Sequence, residues 1–214
     1  MAYSTVIILI SNSISLICIW LFFKLRKKPL TTEIQLYKCS IKKVLIVSLF
    51  GCSYCFISSL VLGMLPFPES MMESFQMSHD TLSLGNPFVN FISVAILGPV
   101  VEEVFFKGLI YTRLKEGMPT IVAAILSAIM FGVMHGEIIW ILHAFIVGLV
   151  FVWIFEKTKS LWPCIVIHIV NNSISQLTEN MPEASATVEW LILAISIVLM
   201  VGSVIYFRRV EREA

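Results

Sequence analysis

Apolar residues fill long runs of this chain, and polar residues gather in short clusters between them, a pattern that predicts membrane-crossing helices rather than a folded soluble core. The runs place spans at about 5–23, 44–65, 87–113, 120–135 and 138–155, a sixth from 160 to the acidic stretch 178–189, and a seventh at about 190–207. Pro66-Phe67-Pro68 ends the second span, and 66–86 reads as a loop holding Glu69, Glu73, His79 and Asp80 with no Lys or Arg. Gly98-Pro99 predicts a kink inside the third span. Gly136-Glu137 is short enough to make spans four and five a tight helical pair.

Composition supports this reading. Hydrophobic residues make up 58% and charged residues 14% of the 214 positions, and mean hydropathy is +0.91, whereas a soluble domain is about 25% charged. The expected fold class is all-α, a polytopic membrane protein of about seven transmembrane helices in a cell membrane. Residues 24–28 are basic, and the apolar stretch before them is long, which reads as an uncleaved anchor. With seven crossings and the N-terminus outside, all 15 Lys and Arg fall on or approach the cytoplasmic side, so the C-terminus is expected there too. The five cysteines imply no disulfide framework, and Cys52 and Cys55 read as small packing residues. A net charge of +1 gives no sign of a nucleic-acid partner.

Against this background Glu102, Glu103 and Lys107 stand out. Each charge costs roughly 2.5–3.5 kcal/mol at mid-bilayer, so three of them are expected to face a protein interior that holds water or reactive groups. Glu103 and Lys107 are four residues apart in the order that favours pairing along a helix. Glu102 points about 100° away and lacks that partner, which suits a general acid or base. His168 and Asn172 share the same four-residue spacing. His135 closes Phe131-Gly132-Val133-Met134-His135. Glu102, His135 and His168 form a plausible zinc ligand set, and the same groups could instead activate a water without metal. His143 reads as a helix-packing residue and His79 as an unassigned loop residue.

Glu102-Glu103 with Lys107, Phe131 with His135, and His168 with Asn172 resemble the CPBP family. These are the CAAX-processing and bacteriocin-processing (Abi) intramembrane proteases, which include the type II CAAX prenyl endopeptidase. The resemblance implies a membrane endopeptidase in which Glu102 and His135 activate water while His168 and Asn172 assist at the oxyanion. Glu103 is then also a site residue, with Lys107 and Phe131 supporting. It implies three regions: 1–90 with the N-terminal helices and outer loop, 91–175 as the catalytic core, and 176–214 with an outer loop and last helix. The expected partners are the bilayer and a peptide or lipidated protein substrate. Lys107 stands where the family usually has Arg, which loses a planar fork for Glu103. Two other functions use the same residues: a silent membrane immunity or regulatory protein, and a small transporter, for which no internal repeat is present.

The topology is tested by thiol labelling in intact cells. An impermeant reagent is expected to label Ser83→Cys and to miss Arg212→Cys until the membrane is opened. Labelling of Arg212→Cys from outside contradicts the orientation.

Overall fold

A computed structural model describes residues 4–83, 85–178 and 185–212, and all regular structure among them is helical. In chain order the helices are α1 (Ser4–Leu25), α2 (Ile41–Met64), α3 (Glu69–Ser83), α4 (Pro87–Gly117), α5 (Thr120–Val133), α6 (Ile138–Thr158), α7 (Trp162–Thr178) and α8 (Ala186–Arg212). A single helical turn, Leu30–Glu33, lies between α1 and α2. Helices α1, α2, α4, α6 and α8 are each long and apolar enough to cross a membrane. The remaining two expected spans are shorter. Helix α7 has 17 residues. Helix α5 has 14, a rise of about 21 Å against a hydrocarbon core of about 30 Å.

The segment 66–86, expected as a loop, instead contains α3. Ser74, Phe75, Ser78 and His79 are half-buried and give this acidic helix one packing face. Phe75 meets Trp140 of α6 edge-on at 5.3 Å, and Ser74 Oγ donates to Glu137 at 2.7 Å. The acidic stretch 178–189 lies partly outside the described residues, and α8 begins within it, at Ala186.

The core lies where α2, α4, α6 and α7 meet, around Val47, Tyr111, Phe151, Phe155, Leu161 and Ile167. Helices α2 and α8 pack along their lengths, as do α5 and α6. The tight α5–α6 pair depends on small residues. A β-carbon on Gly148 would touch Ala128 at 3.2 Å, and one on Gly132 would lie 2.8 Å from the Ile141 carbonyl oxygen. The connecting turn uses Gly136 at φ 78°, the left-handed region that glycine enters without a steric penalty.

Helix α4 runs through Gly98-Pro99 without stopping, but residues Phe91–Leu97 and Glu103–Tyr111 are π-helical. Gly98 N–H donates to the Ser93 carbonyl, five residues back, and Pro99 has no N–H to give. The expected kink site is therefore a change of hydrogen-bond register. A neighbouring side chain takes one carbonyl in each π-helical segment. Asn172 Nδ2 donates to Val94 O at 3.1 Å, and Ser127 Oγ donates to Phe106 O at 3.0 Å. Irregular backbone at membrane depth is stable when other protein groups satisfy it in this way.

The close α5–α6 contact predicts that Gly132→Ala destabilises the protein by about 1–3 kcal/mol through overpacking. Gly202→Ala, with open space around its β-carbon, is expected to cost nothing. Thermal unfolding in detergent compares the two.

Candidate active site

Glu103, on α4, is fully buried, and so is Lys107 one turn on. Glu103 Oε1 accepts from Lys107 Nζ at 3.3 Å and from His168 Nδ1 of α7 at 2.9 Å. Its other oxygen, Oε2, is buried without a hydrogen bond. Lys107 Nζ also lies 3.7 Å from the centre of the Phe131 ring and 5.4 Å from that of Phe151, so its charge is held by one carboxylate and two aromatic faces.

His168 stands at the junction of these contacts. A carboxylate only accepts, so Nδ1 carries the proton, and Nε2 turns toward Glu102 Oε2 at 3.6 Å. That distance is longer than a hydrogen bond, and Glu102 Oε2 makes none. The two adjacent carboxylates therefore differ sharply. Glu103 is an enclosed anchor, while the Glu102 side chain retains 35% of its exposure.

His135 lies just beyond the end of α5, in the turn before α6. Its Nδ1 donates to the Phe131 carbonyl at 2.9 Å. A carbonyl cannot donate, so in the neutral ring Nε2 keeps its lone pair. The Phe131 ring lies edge-on to His135 at 4.9 Å and to His168 at 5.9 Å, which places it between the two imidazoles.

One cavity of about 530 Å³ is lined by Glu102, His135, His168 and Asn172, together with residues from α1, α2, α3 and α6. Glu103 and Lys107 stand behind its wall. Asn172 spends one N–H on the Val94 carbonyl and has a second to offer. Two histidines outside the expected site also line this cavity. His79 reaches it from α3. His143, expected to pack between helices, stacks on Tyr54 of α2 at 6.0 Å, yet its Nε2 is buried without a hydrogen bond. A single His in an apolar run gives no sequence signal of which way it faces.

Among the described residues no three His, Cys, Asp or Glu side chains are arranged to hold a metal ion. His168 Nδ1 is engaged by Glu103 and His135 Nδ1 by a carbonyl. Both bonds leave the Nε2 atoms unengaged, and Glu102, His135 and His168, the zinc set drawn from sequence, line one cavity without being grouped as a metal site among the described residues.

Breaking the buried pair from one side leaves an uncompensated charge, which costs roughly 3–5 kcal/mol. Lys107→Met is expected to lower the thermal unfolding midpoint accordingly, and Lys107→Arg, which keeps the charge, to lower it less. Equal behaviour of the two variants would contradict the pairing.

Residues 84–174 match the family described as Type II CAAX prenyl endopeptidase Rce1-like. The protein titled "Putative membrane peptidase YdiL", from Bacillus subtilis (strain 168), is 29% identical over 79 residues, which are 37% of this chain and 32% of that protein. The chain thus spans about a third of the curated relative it matches. No solved structure matches it. The paired carboxylates, His135, His168 and Asn172 all fall inside the matched segment, and through that segment this polytopic helical protein is similar to the type II CAAX prenyl endopeptidases.

Proposed function

We propose that this protein is an intramembrane endopeptidase of the cell membrane that cuts membrane-associated or lipidated peptides or proteins. Glu102 and His135 hold the attacking water, whose two hydrogens face the carboxylate and the His135 Nε2 lone pair. As the water oxygen bonds to the scissile carbonyl carbon, its proton passes to Glu102. The carbonyl oxygen becomes an oxyanion, stabilised by the second N–H of Asn172 and by His168 when Nε2 carries a proton. The C–N bond then breaks, and the leaving nitrogen takes the proton from Glu102.

The observation that carries this reading is the shared cavity. Glu102 from α4, His135 from the α5–α6 turn, and His168 with Asn172 from α7 line one space, although up to 70 positions separate them in sequence. The Glu103–His168–Lys107 group behind the wall would hold the imidazole still while Glu102 remains unpaired and free to exchange a proton.

Glu102→Gln keeps the shape of the side chain and removes the base, so it is expected to reduce turnover by about 10²–10⁴-fold. Comparative peptidomics of membranes from cells with the wild type and with Glu102→Gln checks this. Peptide fragments that depend on Glu102 are expected. Identical peptidomes, with biological activity retained by Glu102→Gln, would contradict the protease reading and favour a silent immunity or regulatory protein.

A further inference from the structure

Helix α1 lies outside the matched segment 84–174, yet it forms part of the cavity wall through Ile8 and Asn12. Its inward stripe is regular. Thr5 and Phe23 are buried, and Ile8, Asn12 and Ile19 fall between them at steps of three, four, seven and four residues. Ser93 Oγ of α4, which donates to the Val89 carbonyl at 2.5 Å, also lies 3.3 Å from the Thr5 carbonyl oxygen, a close contact of α1 with the first π-helical segment.

Asn12 is out of place on such a helix unless it serves the cavity. The neighbouring serines satisfy themselves on their own turns: Ser11 on Ile8 O at 3.0 Å, Ser13 on Leu9 O at 2.8 Å and Ser15 on Ser11 O at 2.8 Å. No such bond ties the Asn12 amide among the described residues. An amide without a partner costs about 1–3 kcal/mol away from water, so a position on a polar cavity explains what a lipid-facing position would not.

Gly98 shows what Asn12 faces. A β-carbon at Gly98 would lie 3.7 Å from Asn12 Nδ2 and 3.9 Å from Glu102 Oε1. A donor from α1 and an oxygen of the proposed base thus both lie close to Gly98, a buried position where a β-carbon would also press on the Ser93 carbonyl oxygen at 3.2 Å. We propose that Asn12 is a catalytic residue contributed by α1, its amide N–H donating to the carbonyl oxygen of the scissile peptide bond while Glu102 acts on the water. The proposal rests on the protease reading above. Asn12 undergoes no covalent change: its N–H···O hydrogen bond shortens as negative charge develops on the oxygen and relaxes when the C–N bond breaks. Helix α1 then completes a site whose other proposed parts come from α4 to α7.

Two measurements separate this proposal from the protease reading itself. In a full-length chain with its native cysteines replaced, Asn12→Cys with Gly98→Cys is expected to be joined by a short bifunctional thiol reagent, so that fragments stay linked after cleavage in the 26–40 connection. Absence of the link overturns the placement of Asn12 whatever the activity. In membranes, Asn12→Leu is expected to slow the Glu102-dependent fragments by roughly 10²-fold, the usual effect of losing one oxyanion donor, and Asn12→Gln to restore part of the rate. An unchanged rate in Asn12→Leu overturns the catalytic role while leaving the protease reading intact. If no fragment depends on Glu102, the protease reading falls, and the catalytic role of Asn12 falls with it.

Discussion

A carboxylate buried to exclusion of solvent must be matched by charge and hydrogen bonds, and in this protein Glu103 sets that condition for everything around it. Its desolvation is offset by Lys107 one turn along α4 and by His168 of α7. Lys107 is in turn covered by Phe131 and Phe151, which brings α5 and α6 against the same point. Four helices are therefore tied to a single carboxylate. The arrangement also separates two chemically identical neighbours, because a group so fully engaged can position an imidazole but has little freedom to take up and release protons. Glu102, by contrast, keeps a face on the cavity and no ion-pair partner within hydrogen-bond distance.

The backbone of α4 makes this separation practicable. Its π-helical register before and after Gly98–Glu102 departs from the usual ladder, and side chains from α5 and α7 engage carbonyls within it. π-helical turns inside longer helices often mark functional sites, and here the second one begins between the paired carboxylates, at Glu103. Asn172 serves both purposes, holding the Val94 carbonyl while lining the cavity. The short helix α5 ends in the Gly136 turn, so His135 is presented at a helix end, where its Nδ1 reaches back to the Phe131 carbonyl.

Much of this fold is legible in the sequence because long apolar runs and tight turns are local signals. The five long helices and the α5–α6 turn at Gly136 follow from spacing alone, whereas the kink expected at Gly98-Pro99 is a change of hydrogen-bond register within a continuous helix. Helix α3 was hidden because its packing face is only Ser74, Phe75, Ser78 and His79 among acidic residues, and it becomes stable against Trp140 and Glu137, more than 60 positions away. The π-helical register is not local either, since its supports, Ser127 and Asn172, lie on other helices. The pairing of Glu103 with Lys107 is visible at four-residue spacing, but its bond to His168 spans 65 residues and left a zinc set open as an alternative. Asn12, His79 and His143 could not be placed from sequence, because one polar residue in a helix does not reveal whether its face meets lipid or a cavity.

The most direct test of the division between the two carboxylates is the thermal unfolding of Glu102→Gln beside Glu103→Gln in the same detergent. Glu103→Gln leaves Lys107 buried without its counter-charge, and a loss of roughly 3–5 kcal/mol is expected. Glu102→Gln removes no buried hydrogen bond, so its midpoint is expected to stay at or above that of the wild type. A large loss in Glu102→Gln with little change in Glu103→Gln would contradict Glu103 as the structural anchor.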